Sequence, residues 1–124
     1  APVAYRWKTQ FNENSKVEAF YNVFSEMNHN EVAGYQTMNK DKFISIFIRD
    51  KDDNERIKKR MEITKQAISS RVDVEEVHTK GDYLLSRIFS GIYYGDFASY
   101  YLALANKIDP TPVTVIENLK KKLK

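Results

Sequence analysis

The chain has no cysteine, four glycines, three prolines and two histidines among its 124 residues. Without cysteine there is no disulfide, no thiolate metal site and no thiol nucleophile, so any chemistry must use other groups. The glycines stand apart at Gly34, Gly81, Gly91 and Gly95. No Gly/Ser/Thr-rich loop is therefore present to cradle a phosphate on backbone N–H groups at a helix N-terminus. His29 and His78 are far apart and lack the spacing that sets two ligands on one helix face, so no metal site is expected. No apolar run approaches the roughly 18 to 20 residues that span a bilayer. The greasiest stretch, Tyr93 to Ala105, is interrupted by Asp96. The first residues lack the basic-then-apolar order of a signal peptide, and neither end carries a lipidation motif. No membrane partner is expected, and the cytoplasm is the default location.

What is present reads as one globular domain. The composition is 42% hydrophobic with eight Tyr and seven Phe, far from the apolar-poor signature of disorder. A domain of this length buries roughly two-thirds of the surface its unfolded chain exposes. The net charge of +3 is concentrated in Lys120, Lys121, Lys122 and Lys124, where a helix macrodipole favours cations. No nucleic-acid motif accompanies that charge, and a phosphorylated small molecule accounts for it as well.

Phe43-Ile44-Ser45-Ile46-Phe47-Ile48, bounded by polar clusters, reads as a buried parallel strand. Ile57, Met61, Ile63 or Thr64, and Ile68 recur at helical spacing between Asp53 and about Arg71. Val72 to Thr79 alternates as a second strand. From Asp82, a plausible N-cap, to about Lys107 runs the longest helix, in which Gly91 and Gly95 are costly unless another element approaches closely. Its Tyr93-Tyr94 and Tyr100-Tyr101 pairs read as core or dimer interface. Thr111 suits the N-cap and Pro112 the first position of a last helix with Val113, Ile116, Leu119 and Leu123 as its buried stripe. Nearer the start, Val3 to about Phe11 suits a helix, Val17 to Phe24 a strand, and Asn28 to Tyr35 the opening of another helix. Asp50 to Asp53 does not match a calcium loop and reads as a solvated turn. Strand segments alternating with helices predict an α/β fold, a small parallel sheet flanked by helices.

The densest polar cluster is Asn12-Glu13-Asn14-Ser15-Lys16 followed by Glu26-Met27-Asn28-His29-Asn30-Glu31. Histidine is the side chain whose unperturbed pKa lies nearest neutrality, which makes His29 a natural proton shuttle, and a carboxylate such as Glu13 is a candidate base. The plainer alternative makes Asn28 a helix cap and His29 a structural surface residue.

Four ordered strings decide between these. Arg6-Trp7-Lys8-Thr9-Gln10 through Asn12-Glu13-Asn14-Ser15-Lys16, then Glu26-Met27-Asn28-His29-Asn30-Glu31, then Gly95-Asp96-Phe97-Ala98-Ser99-Tyr100-Tyr101-Leu102-Ala103, then Asp109-Pro110-Thr111-Pro112-Val113 with Ile116 and Leu119-Lys120, cover nearly the whole chain. Together they resemble the bifunctional phosphoglucose/phosphomannose isomerases, whose domains are of the SIS (sugar isomerase) type. The resemblance implies that residues 1–124 are a C-terminal SIS-type domain, and that glucose 6-phosphate, with mannose 6-phosphate, is interconverted with fructose 6-phosphate through an enediolate. It implies a cytoplasmic enzyme of glycolysis and gluconeogenesis with a hexose 6-phosphate substrate and no cofactor.

By the same resemblance Glu13 is the base and His29 the ring-opening group, supplied to the neighbouring subunit's site of a homodimer. Lys120, with Lys121 as competitor, handles the ring oxygen, and Thr111 or Thr114 accommodates mannose. The phosphate loop belongs to an N-terminal SIS domain absent from this chain, and the isolated domain is expected to be inactive. The alternatives are a non-catalytic sugar-phosphate-sensing SIS module, which needs no base and ring-opening acid together, and a structural dimerisation domain, which leaves the Asn-Glu-His cluster without a reason.

Overall fold

The computed structural model describes residues 1–124. Helix α1 (Pro2–Glu13) opens on a proline, whose missing N–H is one that a helix start leaves unbonded anyway. An extended segment leads to one-turn α2 (Phe24–Met27) and a 3-10 helix (Glu31–Thr37). Strand β1 (Ile44–Arg49), helix α3 (Glu55–Ile68) and strand β2 (Asp73–His78) form a parallel crossover unit. Asn54 caps α3 by accepting the Arg56 N–H at 2.9 Å. Helices α4 (Leu84–Ala105) and α5 (Thr114–Lys122) complete the chain. The fold is α/β, with a two-stranded parallel sheet registered Ile44 to Asp73 and Arg49 to His78.

Three layers result from the two-residue alternation of the strands. Ser45, Phe47 and Val74 share one face. There Phe47 and Val72 close a core with Met27, Met61 and Ile68, edged by Phe24, Val32, Tyr35 and Ile57. The Phe24 ring stands edge-on to Phe47 at 4.8 Å. On the other face Val77 borders a cleft shared with Trp7, Tyr94 and Ala98 of α1 and α4.

The two helical glycines are explained by α1. A Cβ on Gly95 would lie 2.3 Å from Trp7 Nε1, and one on Gly91 would press Val3 at 3.1 Å. With hydrogen in their place, Trp7 is buried and donates its indole N–H to the Gly91 carbonyl at 2.7 Å. Asp96, which interrupts the apolar run, receives Arg6 in a two-pronged pair at 3.0 and 2.8 Å.

Several expectations are corrected. Val17 to Phe24 forms no strand: Val17 to Val23 joins no sheet, Phe24 already opens α2, and Tyr21 lies edge-on against Tyr5 of α1 at 5.2 Å. β1 is only partly buried, because a sheet two strands wide leaves both edges open; only Phe47 is fully covered. The N-cap of α4 is Tyr83 rather than Asp82, with the Tyr83 N–H donating to Ser86 Oγ at 3.2 Å. α5 starts at Thr114, capped by Val113, not at Pro112 behind a Thr111 cap. The Asp109 carboxylate captures the Thr111 N–H at 2.9 Å, and that turn delays the helix. The stripe Ile116, Leu119 and Leu123 is not buried, and no residue of α5 is. Asp50 to Asp53 is an exposed turn at Lys51 and Asp52, as expected, but it is also anchored, since Asp50 and Asp52 both engage the buried Arg87 of α4. No helix is long and apolar enough to cross a membrane.

Candidate functional site

Glu13 is the last residue of α1, and each residue around it is tied down. Asn12 donates its side-chain amide to the Val17 carbonyl at 2.8 Å. Asn14 donates to Ser99 Oγ at 2.9 Å, and fully buried Ser15 donates its hydroxyl to the Ser99 carbonyl at 2.7 Å. Lys16 takes φ +57°, a conformation that costs an L-residue about 1–2 kcal/mol. Its ammonium turns back to the Glu13 carbonyl and reaches the Pro110 carbonyl at 3.2 Å. Only the Glu13 carboxylate has no partner, and it is exposed. The loop is thus a rigid bracket that holds out one free carboxylate.

Lys16 also joins this bracket to the turn between α4 and α5, so Thr111, next to Pro110, lies beside the Glu13 loop. Thr111 is exposed, as is Thr114 at the start of α5. Lys120 and Lys121 are both exposed on α5 without a salt-bridge partner.

His29 belongs to a different layer. It follows α2, whose Met27 is in the core beneath the sheet face opposite α1, and its N–H donates to the Glu26 carbonyl at 2.9 Å. Asn28 is the C-cap of α2, and its side chain bridges to α3: the amide donates to Thr64 Oγ1 at 2.8 Å, while its oxygen accepts from Arg60 at 3.2 Å. Asn30 donates to Glu26 Oε1 at 2.7 Å. The imidazole itself is exposed and has no hydrogen-bond partner. Lys16 thus ties the Glu13 loop to the turn that carries Thr111, while His29 follows an element packed on the other face of the sheet.

Sequence reading missed the residues that organise these loops. Ser99 and Ser15 carried a faint signal, as small polar residues inside otherwise recognisable strings. Thr64 carried none, because it occupies an apolar position in the α3 stripe. Arg87 was hidden among the apolar residues of α4.

Residues 1–123 match the family described as "Bacterial phospho-glucose isomerase C-terminal SIS domain". The bifunctional phosphoglucose/phosphomannose isomerase of Thermoplasma acidophilum is 43% identical over 98% of this chain, and that of Caldicellulosiruptor bescii is 44% identical over 98%. The chain spans 38% and 37% of the lengths of these two relatives. A D-glucosamine-6-phosphate 4-epimerase of Sulfolobus acidocaldarius is 28% identical over 98% of the chain, which spans 36% of its length.

Proposed function

Since the chain belongs to the bacterial phosphoglucose isomerase C-terminal SIS domain family, we propose that it is the C-terminal domain of an aldose–ketose isomerase acting on hexose 6-phosphates. The reaction is the interconversion of glucose 6-phosphate, and mannose 6-phosphate, with fructose 6-phosphate in the cytoplasm. The observation that carries this reading is the Glu13 bracket, in which an unbonded carboxylate stands among residues whose side chains each donate a hydrogen bond within the fold.

After ring opening, the Glu13 carboxylate removes the C2 proton of the aldose. The C2–H electron pair forms the C1=C2 bond, and the C1 oxygen takes up a proton. The resulting enediol, formed by way of the enediolate, then receives the proton from Glu13 at C1 while the C2 hydroxyl loses its own, which leaves the ketose. His29 serves ring opening in the neighbouring subunit's site of a homodimer, and its separation from Glu13 across the sheet supports that division. The long exposed face of α4 supports a dimer too: Leu85, Phe89, Tyr93 and Tyr101 each leave 60–64% of their surface exposed.

Helical spacing favours Lys120 over Lys121 as the group at the ring oxygen. Lys120 shares a side of α5 with Ile116 and Leu123, whereas Lys121 shares one with Glu117 and Lys124. Thr111 is favoured over Thr114 for the sugar because its turn abuts the Glu13 loop. The substrate phosphate is held by an N-terminal SIS domain, which the greater length of the relatives leaves room for. This domain alone is accordingly inactive.

The test is Glu13→Gln in the full-length protein. Removing the base is expected to lower kcat by about 10²- to 10⁴-fold and to abolish exchange of the C2 proton with deuterated solvent. Turnover near the parent rate would remove Glu13 from the mechanism. A sugar-phosphate sensor without chemistry would show no exchange in the parent protein either.

A further inference from the structure

We propose that Thr64 and Arg60 of α3 are positioning residues for His29 and act on it through the side chain of Asn28. This inference rests on the reading of His29 as a group that works on the sugar. His29 makes no side-chain bond of its own, so its direction is set by the backbone beneath it. That backbone is weakly determined locally, because α2 is a single turn and a lone helical turn is unstable on its own. Met27 anchors it on the core side. On the other side, packing does not close against α3: an open cleft of about 290 Å³ lies among Asn28, Val32, Arg60, Ile63, Thr64 and Ala67.

Hydrogen bonds span this gap. Asn28 donates to Thr64 Oγ1 at 2.8 Å and accepts from Arg60 at 3.2 Å, so both ends of its amide are held by α3. Thr64 is only 3% exposed, so its hydroxyl sits at a fixed point of the core-facing side of the helix. A hydroxyl at an otherwise apolar stripe position serves no packing need that valine would not meet. Its evident role is to accept the Asn28 amide. Asn30, bonded to Glu26, holds the far side of His29. The residue before and the residue after the histidine are thus both fastened while the imidazole is left free, the same arrangement that surrounds Glu13.

The experiment uses the full-length protein with Thr64→Val, Thr64→Ser, His29→Ala and the Thr64→Val/His29→Ala double variant. Valine keeps the buried volume, so the core is retained. If Thr64 acts through His29, Thr64→Val lowers kcat by about tenfold with KM within about twofold, since small misplacements of a working group carry costs of that size. Thr64→Ser returns kcat to near the parent value. In the His29→Ala background Thr64→Val has no further effect. Arg60→Met, at the longer of the two bonds, gives a smaller loss in kcat that also vanishes in that background.

Two results would overturn the proposal and leave the role of His29 standing: parent-like kcat in Thr64→Val, or the same loss from Thr64→Val with and without His29. Parent-like turnover in His29→Ala, with Glu13→Gln still inactive, would remove His29 from the reaction and the positioning role with it.

Discussion

Arg87 enters the first turn of α4 with 5% of its side chain exposed, a degree of burial that an arginine reaches only among partners. It bonds Asp50 at 2.9 Å and Asp52, and donates to the Asp82 carbonyl at 3.1 Å, so it ties the loop after β1 to the loop after β2. Asp50 also accepts the Thr79 hydroxyl at 2.5 Å and the Asp52 N–H at 3.0 Å. Burial alone would raise the Asp50 carboxyl, but the Thr79 and Asp52 bonds and the Arg87 guanidinium outweigh it and hold the pKa below the ordinary carboxylate value. A depressed folded-state pKa means that stability from ionised Asp50 is complete above the unfolded value of about 3.9 and is lost as pH falls through the lower folded value. The melting-temperature deficit of Asp50→Asn should therefore be full near about pH 7 and shrink below about pH 4. Arg87→Met should cost about 2–3 kcal/mol, less than the roughly 3–5 of a fully buried pair, because Asp50 and Asp52 remain partly hydrated. Thermal melting across that pH range checks both.

Between elements, the contact that matters most for Glu13 is α1 against α4, since the position of the bracket follows from where α1 lies. Gly95→Ala gains up to about 1 kcal/mol of helix propensity, yet its new methyl would meet the Trp7 ring at 2.3 Å. Overpacking of this kind costs about 1–3 kcal/mol, so the variant should melt lower than the parent and lose activity as α1 is pushed away. Gly91→Ala, with its nearest contact at 3.1 Å, should be milder on both measures. The need for a close approach was legible because a glycine inside a helix is costly without a reason. The crossover unit was legible too, as periodicity changes between β1, α3 and β2. Where the reading failed, the deciding partner was remote or absent. Val17 to Phe24 alternates like a strand but has no neighbour to pair with, and the apolar stripe of α5 marks a surface to be covered without saying that this domain covers it. Glu13 and His29 were recognisable as strings, whereas Ser99 and Thr64, which fasten the loops beside them, lie 85 and 36 residues from their asparagine partners. Nothing local marks such pairs.

At the scale of the whole molecule, the separation of Glu13 and His29 by the sheet has a consequence that activity of single variants cannot reveal. If each site of a two-fold dimer combines Glu13 of one subunit with His29 of the other, a hybrid of a Glu13→Gln subunit and a His29→Ala subunit contains one site with both defects and one site with neither. Random exchange makes half the dimers hybrid, so mixing the two inactive full-length variants should restore about a quarter of the parent turnover under symmetric assembly. If both residues served the same subunit's site, every site in the mixture would carry one defect and mixing would restore nothing. The exposed apolar faces of α4 and α5 set the condition for the experiment, because subunits joined over such surfaces exchange slowly. Brief partial denaturation and refolding of the mixture, with each variant refolded alone as control, ensures that hybrids form. Recovery beyond those controls then counts intact sites, and its absence in a demonstrated hybrid would return His29 to its own chain.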